Sequence, residues 1–278
     1  MRIIDSHQHF WKYHPQNHAW INEDMKIIQK DFLPEELASI FAKEKIEGCI
    51  SVQVDQTKEE TAFQIECANK NHFIKGVVGW IDLLNPTIEN EIEVYREQKI
   101  IKGFRHILQG ADKGFMLQQH FVNGLKALAK NNYTYDLLIY HHQIPEALEL
   151  VKTLDSMAIV VDHIAKPDIK NGNRTAWAKD IKALASHPNV YCKISGMATE
   201  ADWKNWTAED LIPYLDTVVA AFGTNRILFG SDWPVCLVAS SYNNWLTTIK
   251  NYFSSFSKEE QAKIFATNCE SFYTLDKA

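Results

Sequence analysis

The chain of 278 residues is 46% hydrophobic and 23% charged, so it can bury a substantial core and does not resemble a disordered protein. Its formal net charge is -6 and it has no basic run, which argues against a nucleic-acid partner. No apolar run approaches the ~20 residues that a membrane span requires. We therefore expect a small-molecule partner, no nucleic acid and no membrane, and we leave a homo-oligomer open.

The cysteines and the start of the chain indicate a reducing compartment. The five cysteines are widely spaced without a C-x-x-C pair, which argues against a disulfide framework and against a thiolate zinc site. The first residues lead directly into a strand pattern and not into a signal sequence, so we expect a cytoplasmic location. Because no linker or composition shift divides the sequence, residues 1–278 are predicted to form one domain.

Strand and helix patterns alternate along the chain. Short β-rich runs occur at residues 2–6, 49–54, 74–81, 101–107, 134–140, 158–163, 189–194 and 226–231. Strands that alternate regularly with helices pair in parallel through right-handed crossovers. Eight such units predict an α/β fold, a (β/α)8 TIM barrel. The alternative, an open doubly wound sheet, would usually carry a Gly-rich turn where this chain has His7-Gln8-His9.

The helical stretches show apolar stripes and start signals. One stripe is Trp177/Ile181/Leu184, with the spacing of a helix face that covers a sheet. A capping box, Ser257-x-x-Glu260, follows the last strand unit. It predicts an extra C-terminal helix that closes the bottom or the side of the barrel.

The first strand ends in two histidines, His7 and His9. Side chains alternate along a strand, so both rings leave the same face and can converge on one metal ion or one substrate atom. Two histidines in an exposed turn are also commonplace, so the hypothesis requires partners from elsewhere in the chain. Segment 10–32, directly after the pair, has no clear periodicity, and its position predicts a wall or lid over a pocket.

Polar residues are concentrated at the ends of the other predicted strands. Catalytic groups in such barrels come from the carboxyl ends of the strands and the loops that follow. These ends carry Arg105 and His106, Tyr140, His141 and His142, Asp162, His163 and Lys166, Lys193, Ser195 and Gly196, and Ser231, Asp232 and Trp233. Asp232 follows apolar and small strand residues, so burial of its charge must be compensated. It is predicted to be a metal ligand or a general base, with capping of the next turn as the alternative.

Four segments resemble the amidohydrolase superfamily: residues 5–11, 103–109, 162–167 and 229–234. They are more narrowly similar to its amidohydrolase 2 branch, which includes L-fuconolactonase, L-rhamnonolactonase and 2-pyrone-4,6-dicarboxylate lactonase. The resemblance covers essentially the whole chain. It implies a (β/α)8 barrel that hydrolyses a ring ester, with His7, His9, His163 and Asp232 around the reacting carbonyl.

Lactone hydrolysis requires a base that activates water and groups that stabilise the oxyanion. The resemblance makes Asp232 the base, with His163 and Arg105 as further catalytic groups. The oxyanion is held either by one divalent ion, preferably zinc, on His7, His9, His163 and Asp232, or without a metal by His7, His9 and Arg105. Binuclear members carry a bridging lysine or glutamate at the end of strand four, where this chain has Arg105, so two metals are not expected.

The predicted substrate-binding residues are Trp11, Arg105, His106, His141, His142, Lys166 and Trp233. Arg105 suits a carboxylate or lactone oxygens, although an ion pair with a surface acid is equally consistent with the sequence. Adjacent strand residues face opposite ways, so at most one of His141 and His142 points inward. Lys166 either contacts substrate oxygens or is solvated. The tryptophans, with Trp20, either stack on a sugar ring or contribute to packing.

Three functions are consistent with these residues. The first is hydrolysis of a small lactone, most simply a sugar (aldono) lactone, to the hydroxy acid. The second is a metal-dependent decarboxylase of an aromatic or unsaturated acid, and the third is a non-catalytic barrel that binds a small ligand. The segment 162–167 and the aromatic first loop favour the sugar lactone.

Overall fold

The computed structural model describes residues 1–275 and shows eight parallel strands in the order of the chain. They are β1 (Ile4–Gln8), β2 (Gly48–Val52), β3 (Ile74–Gly79), β4 (Ile101–Ile107), β5 (Thr134–Leu138), β6 (Ile159–Val161), β7 (Val190–Ile194) and β8 (Ile227–Phe229). The backbone amide of His9 donates to the carbonyl of Trp233 (2.7 Å), and the backbone amide of Asp232 donates to the carbonyl of His7 (2.8 Å). These bonds join the segment after β8 to the end of β1 and bring the two edge strands together, and the predicted (β/α)8 barrel is confirmed.

Helices follow the strands and cover the outside of the barrel. They are α1 (Pro34–Glu44), α2 (Lys58–Lys70), α3 (Ile88–Tyr95), α4 (Gln119–Lys130), α5 (Ile144–Val151), α6 (Thr175–Ala185), α7 (Ala208–Phe222) and α8 (Tyr242–Tyr252). The predicted stripe on α6 is buried, because Trp177, Ile181 and Leu184 all pack into the core. Within residues 1–275, no helix combines the length and the apolar character that crossing a membrane would demand.

The C-terminal segment closes the bottom of the barrel. The predicted capping box forms at Ser257 and starts α9 (Lys258–Ala262), which continues through a π-helical turn, Lys263–Thr267, into α10 (Asn268–Phe272). Phe272 and Tyr273 belong to a buried apolar cluster with Ile4 and Ile50 from the strands. The extra C-terminal helix is therefore confirmed, in two pieces, at the amino ends of the strands.

A charged pair lies inside the barrel, where branched apolar side chains are usual. Lys193 on β7 and Asp136 on β5 are fully buried and form an ion pair. The hydroxyl of Tyr273 donates to the Asp136 carboxylate from below, at 2.9 Å. The ammonium also lies 3.1 Å from Oδ1 of Asp162 and 3.1 Å from Nδ1 of His7, so it connects the floor of the barrel to its upper rim.

Candidate active site

A cavity of about 340 Å³ opens at the carboxyl ends of the strands. Its polar lining includes His9, Arg105, His163, Lys166, Thr199, Glu200 and Asp232, and its apolar lining includes Trp20, Met25, Val54, Trp203, Val235 and Val238. Trp20 and Met25 come from segment 10–32, which includes a short helix at Glu23–Ile28. The cavity has the size and the mixed lining of a small-molecule site.

Three histidines surround one carboxylate at the base of this cavity. Oδ1 of Asp232 lies 3.3 Å from Nε2 of His9, 3.8 Å from Nε2 of His7 and 3.9 Å from Nε2 of His163. The two histidines of the first strand approach each other to 3.2 Å between their Nε2 atoms. The backbone bonds that join the end of β1 to the segment after β8 bring His7, His9 and Asp232 together.

The cluster contains an ionised carboxylate at Asp232 and neutral imidazoles at His7 and His163 at neutral pH. Burial alone would raise the pKa of Asp232, but interactions with His163, His9 and His7 outweigh it and hold that pKa below its ordinary value. Burial lowers the pKa of His163 to about 4, against the opposing effect of Asp232. Burial likewise holds the pKa of His7 well below its usual range. A negative carboxylate and neutral rings are the forms that accept protons and bind metals.

Hydrogen bonds on their far sides orient two of the rings. Nδ1–H of His9 donates to the carbonyl of Val52 at 2.8 Å, which leaves a lone pair on Nε2 toward the cluster. Nδ1 of His163 is 2.8 Å from Oγ of Ser195. The next residue, Gly196, has φ 59° and lies so close that an added Cβ would be 2.6 Å from Nδ1 of His163. A side chain at this position would therefore displace the ring.

The donor set fits one divalent ion. His7, His9 and Asp232 offer nitrogen, nitrogen and oxygen atoms that lie within 4.8 Å of one another, all on buried residues. Two ligands of a tetrahedral zinc ion, with bonds of about 2.0–2.1 Å, are about 3.3 Å apart. The His7–His9 and His9–Asp232 separations of 3.2 and 3.3 Å match that spacing, whereas the His7–Asp232 separation of 3.8 Å is wider.

Arg105 is a buried cation on the wall of the cavity. Its Nη1 donates to Oδ2 of Asp162 at 3.1 Å and lies 3.3 Å from Nε2 of His7, while its Nη2 donates to Gln53. Its Nε–H meets no acceptor among residues 1–275. Because Arg105 lines the cavity and its guanidinium is a fixed cation with several N–H donors, the side chain is suited to an oxygen of a bound substrate.

A left-handed turn connects two residues of the cavity. His163, Ile164, Ala165 and Lys166 have φ values of 53°, 50°, 59° and 45°, a conformation that non-glycine residues rarely adopt in succession. Side chains from neighbouring elements hold its carbonyls: Trp177 donates to Ile164 at 2.8 Å and His141 donates to Lys166 at 2.9 Å. The turn directs His163 and Lys166 into the cavity and keeps Ile164 and Ala165 in the core.

We expect Trp177→Phe to lower both stability and turnover. The change removes the indole N–H that donates to the buried carbonyl of Ile164, which should cost about 1–3 kcal/mol in the free energy of unfolding. A looser turn should also lower kcat several-fold, because His163 is less firmly held. Urea unfolding and steady-state kinetics measure the two effects.

Trp80→Phe is the matched control for Trp177→Phe, since the indole N–H of Trp80 has no acceptor within the described residues. An equal loss of stability and turnover in Trp80→Phe would show that the hydrogen bond from Trp177 to Ile164 is not the cause.

The structure brings only some of the sequence-predicted substrate-binding residues to the cavity. Arg105 and Lys166 line it together with the catalytic candidates His163 and Asp232. Trp11 and Trp233 are instead buried in an aromatic cluster with Phe32, and Trp20 is the tryptophan of segment 10–32 on the wall.

The histidines near β4 and β5 also lie outside the cavity lining. His106 faces away from Arg105, as strand alternation requires, and packs against Phe115 and Phe121. His141 and His142 follow β5 in a short 3-10 helix, because that strand ends at Leu138 and not at residue 140. His141 supports the left-handed turn, and His142 is exposed.

Several lining residues were not singled out from the sequence as part of a site. They are Met25, Gln109, Thr199, Glu200 and Trp203. Thr199 and Glu200 belong to a short helix, Ala198–Glu200, in the loop after β7. The position of this loop after a strand was the available signal, but nothing in its composition distinguished it from a surface connection.

Comparisons with known proteins place the chain in a family. A model of the amidohydrolase family matches residues 4–275. The L-fucono-1,5-lactonase of Burkholderia multivorans is 36% identical over 284 residues, which cover 98% of this chain and 96% of that protein. A crystal structure of an amidohydrolase from Burkholderia multivorans with bound zinc has a TM-score of 0.95 at 35% identity and covers 99% of this chain and 100% of that chain.

A more distant likeness involves the fold alone. A dihydroxybenzoic acid decarboxylase from a Polaromonas species, crystallised with manganese and an inhibitor, is 14% identical, with a TM-score of 0.68 over 100% of this chain and 97% of that chain. The family model, in contrast, covers nearly the whole sequence, and the Burkholderia lactonase is similar along its full length. The resemblance predicted from the four motifs is confirmed, and the protein belongs to the amidohydrolase family.

Proposed function

We propose that the protein is a lactonase that opens a sugar lactone to the hydroxy acid, with an L-fuconolactone as the leading candidate substrate. The observation that carries this proposal is the ionised Asp232 at the base of the cavity, with Arg105 on the same wall. These groups supply the base and the oxyanion donor that ester hydrolysis requires. The substrate class is supported by the full-length relative named L-fucono-1,5-lactonase.

In the proposed mechanism Asp232 activates the attacking water. Its carboxylate accepts a proton as the water oxygen bonds to the lactone carbonyl, and it then delivers that proton to the ring oxygen as the ring bond breaks. The guanidinium of Arg105, which lines the cavity, donates to the developing oxyanion. His163, neutral and held by Ser195, presents its Nε2 atom 3.9 Å from Oδ1 of Asp232.

We infer that one divalent ion, preferably zinc, binds His7, His9 and Asp232, with His163 beside it. A zinc ion there would polarise the carbonyl oxygen and lower the pKa of a bound water. The protein purified without added metal is expected to contain about one zinc per chain by elemental analysis. Dialysis against a chelator should remove the ion and most of the activity, and added zinc should restore both. Full activity in a metal-free sample would instead support the metal-independent alternative, with His7, His9 and Arg105 as the oxyanion donors.

A screen of aldonolactones tests the proposed function directly. Each hydrolysis releases an acid, so a pH indicator reports turnover for every compound under one set of conditions. We expect the highest kcat/KM for an L-fuconolactone or a closely related sugar lactone. No hydrolysis of any lactone, together with carbon dioxide release from an aromatic acid, would favour the decarboxylase alternative. No turnover of either class would favour a non-catalytic barrel.

A further inference from the structure

An ion pair forms part of the cavity wall above the reacting centre. Nζ of Lys166 lies 2.6 Å from Oε1 of Glu200, and the side chains are 14% and 22% exposed. Both residues line the cavity. A pair that is partly shielded from water interacts more strongly than the usual surface pair and is better fixed in position.

The pair retains unused hydrogen-bonding capacity. An ammonium group has three N–H donors. Among the described residues, Nζ of Lys166 donates to Oε1 of Glu200. Oε2 of Glu200 receives no side-chain or backbone donor from residues 1–275. The wall therefore presents N–H donors and a carboxylate oxygen side by side to whatever occupies the cavity.

A vicinal diol matches this arrangement. One hydroxyl can donate to Oε2 of Glu200 while its neighbour accepts from Nζ of Lys166, and both bonds are charge-assisted. Another part of the cavity wall is apolar: Met25 lies on the helix Glu23–Ile28, which packs against the segment Val235–Val238. A molecule with adjacent hydroxyls on one face and C–H groups on the other satisfies both kinds of surface.

The backbone links this pair to the catalytic cluster. Lys166 is the last residue of the left-handed turn that begins at His163, and its carbonyl is held by His141. The amide of Lys170 donates to the carbonyl of Glu200 at 3.0 Å, which joins the two loops. The distance between the ion pair and the reacting centre is therefore set by hydrogen-bonded backbone.

We propose that Lys166 and Glu200 form a specificity subsite that binds a vicinal diol of the substrate and so selects polyhydroxylated lactones over unsubstituted ones. This inference rests on the proposed lactonase function and adds the residues that recognise the sugar. Glu200 acts on substrate binding and takes no part in proton transfer.

The test compares two substrates in matched variants. Wild-type protein, Glu200→Gln and Lys166→Met are assayed with an L-fuconolactone and with δ-valerolactone, which has the ring ester but no hydroxyl. We expect each variant to lower kcat/KM for the sugar lactone about 10- to 100-fold, mainly through KM, and to lower it far less for δ-valerolactone. The double variant should lose little more than either single one, because the pair acts as a unit.

Glu209→Gln is the control, since Glu209 is exposed in the first turn of α7 and outside the cavity. This variant should hydrolyse both lactones like the wild type. Glu200→Gln is isosteric, so its fold should be retained, and a melting curve verifies this. Equal losses for both lactones, or a loss confined to kcat, would overturn the subsite. If the wild type hydrolysed neither lactone, the proposed lactonase function itself would fail. If the wild type were active and the variants lost activity equally on both lactones, only the subsite would fail, so the two failures are distinguishable.

Discussion

Asp232→Asn is expected to lower kcat for lactone hydrolysis about a thousand-fold. General acid–base groups typically contribute between a hundred- and ten-thousand-fold, and Asp232 is the carboxylate at the centre of the three histidines. An amide cannot accept the proton of water, although it preserves the size and shape of the side chain. Steady-state kinetics with the best sugar lactone measure the loss.

A control makes this result specific. Asp155→Asn carries the same chemical change on an exposed loop before β6, at the opposite end of the barrel, and should leave kcat unaltered. The melting temperature of each variant shows that both remain folded. Full hydrolysis of every active lactone by Asp232→Asn would exclude Asp232 as the base.

Lys193→Met is expected to lower the free energy of unfolding by about 3–5 kcal/mol. The change removes a fully buried cation and leaves the Asp136 carboxylate without its ion-pair partner. Asp162 also loses the Lys193 ammonium, which lies 3.1 Å from its Oδ1, although it keeps Arg105. Urea unfolding at neutral pH, followed by fluorescence, measures the change.

Two comparisons isolate the charge balance as the cause. Lys152→Met removes an exposed lysine that pairs with Glu149 at 2.6 Å, and it should change stability very little. The double variant Lys193→Met/Asp136→Asn removes both charges and should be more stable than Lys193→Met alone. If the double variant were the less stable of the two, an uncompensated carboxylate would not explain the loss.

Much of the fold was predictable because its signals are local and repeated. Each strand of the barrel is a short apolar run, and each covering helix carries an apolar stripe, so the alternation could be counted along the chain. The end of β5 was less predictable. Residues Ile139 and Tyr140 extend the apolar run, but β6 ends early at Val161 and gives no partner for them, so the strand stops at Leu138.

The cluster of His7, His163 and Asp232 that we propose to be catalytic was also predictable, since strand ends in a barrel converge on one rim and the motifs of the family mark these residues. The buried pair of Lys193 and Asp136 was not assigned a role, although a charge inside an apolar strand was a usable signal. The residues of the cavity wall were harder to predict from the sequence. Glu200 and Trp203 come from a loop, and the sequence does not indicate which loop residues face a pocket.

The left-handed turn at His163–Lys166 has a consequence for engineering this protein. Each non-glycine residue in that conformation costs about 1–2 kcal/mol, so the four together oppose folding by an amount comparable to the net stability of a typical domain. Random mutagenesis selected for heat resistance should therefore favour substitutions that relax this loop, at the expense of turnover. A programme that seeks a more durable catalyst should hold these positions constant and improve helix caps and surface charges instead.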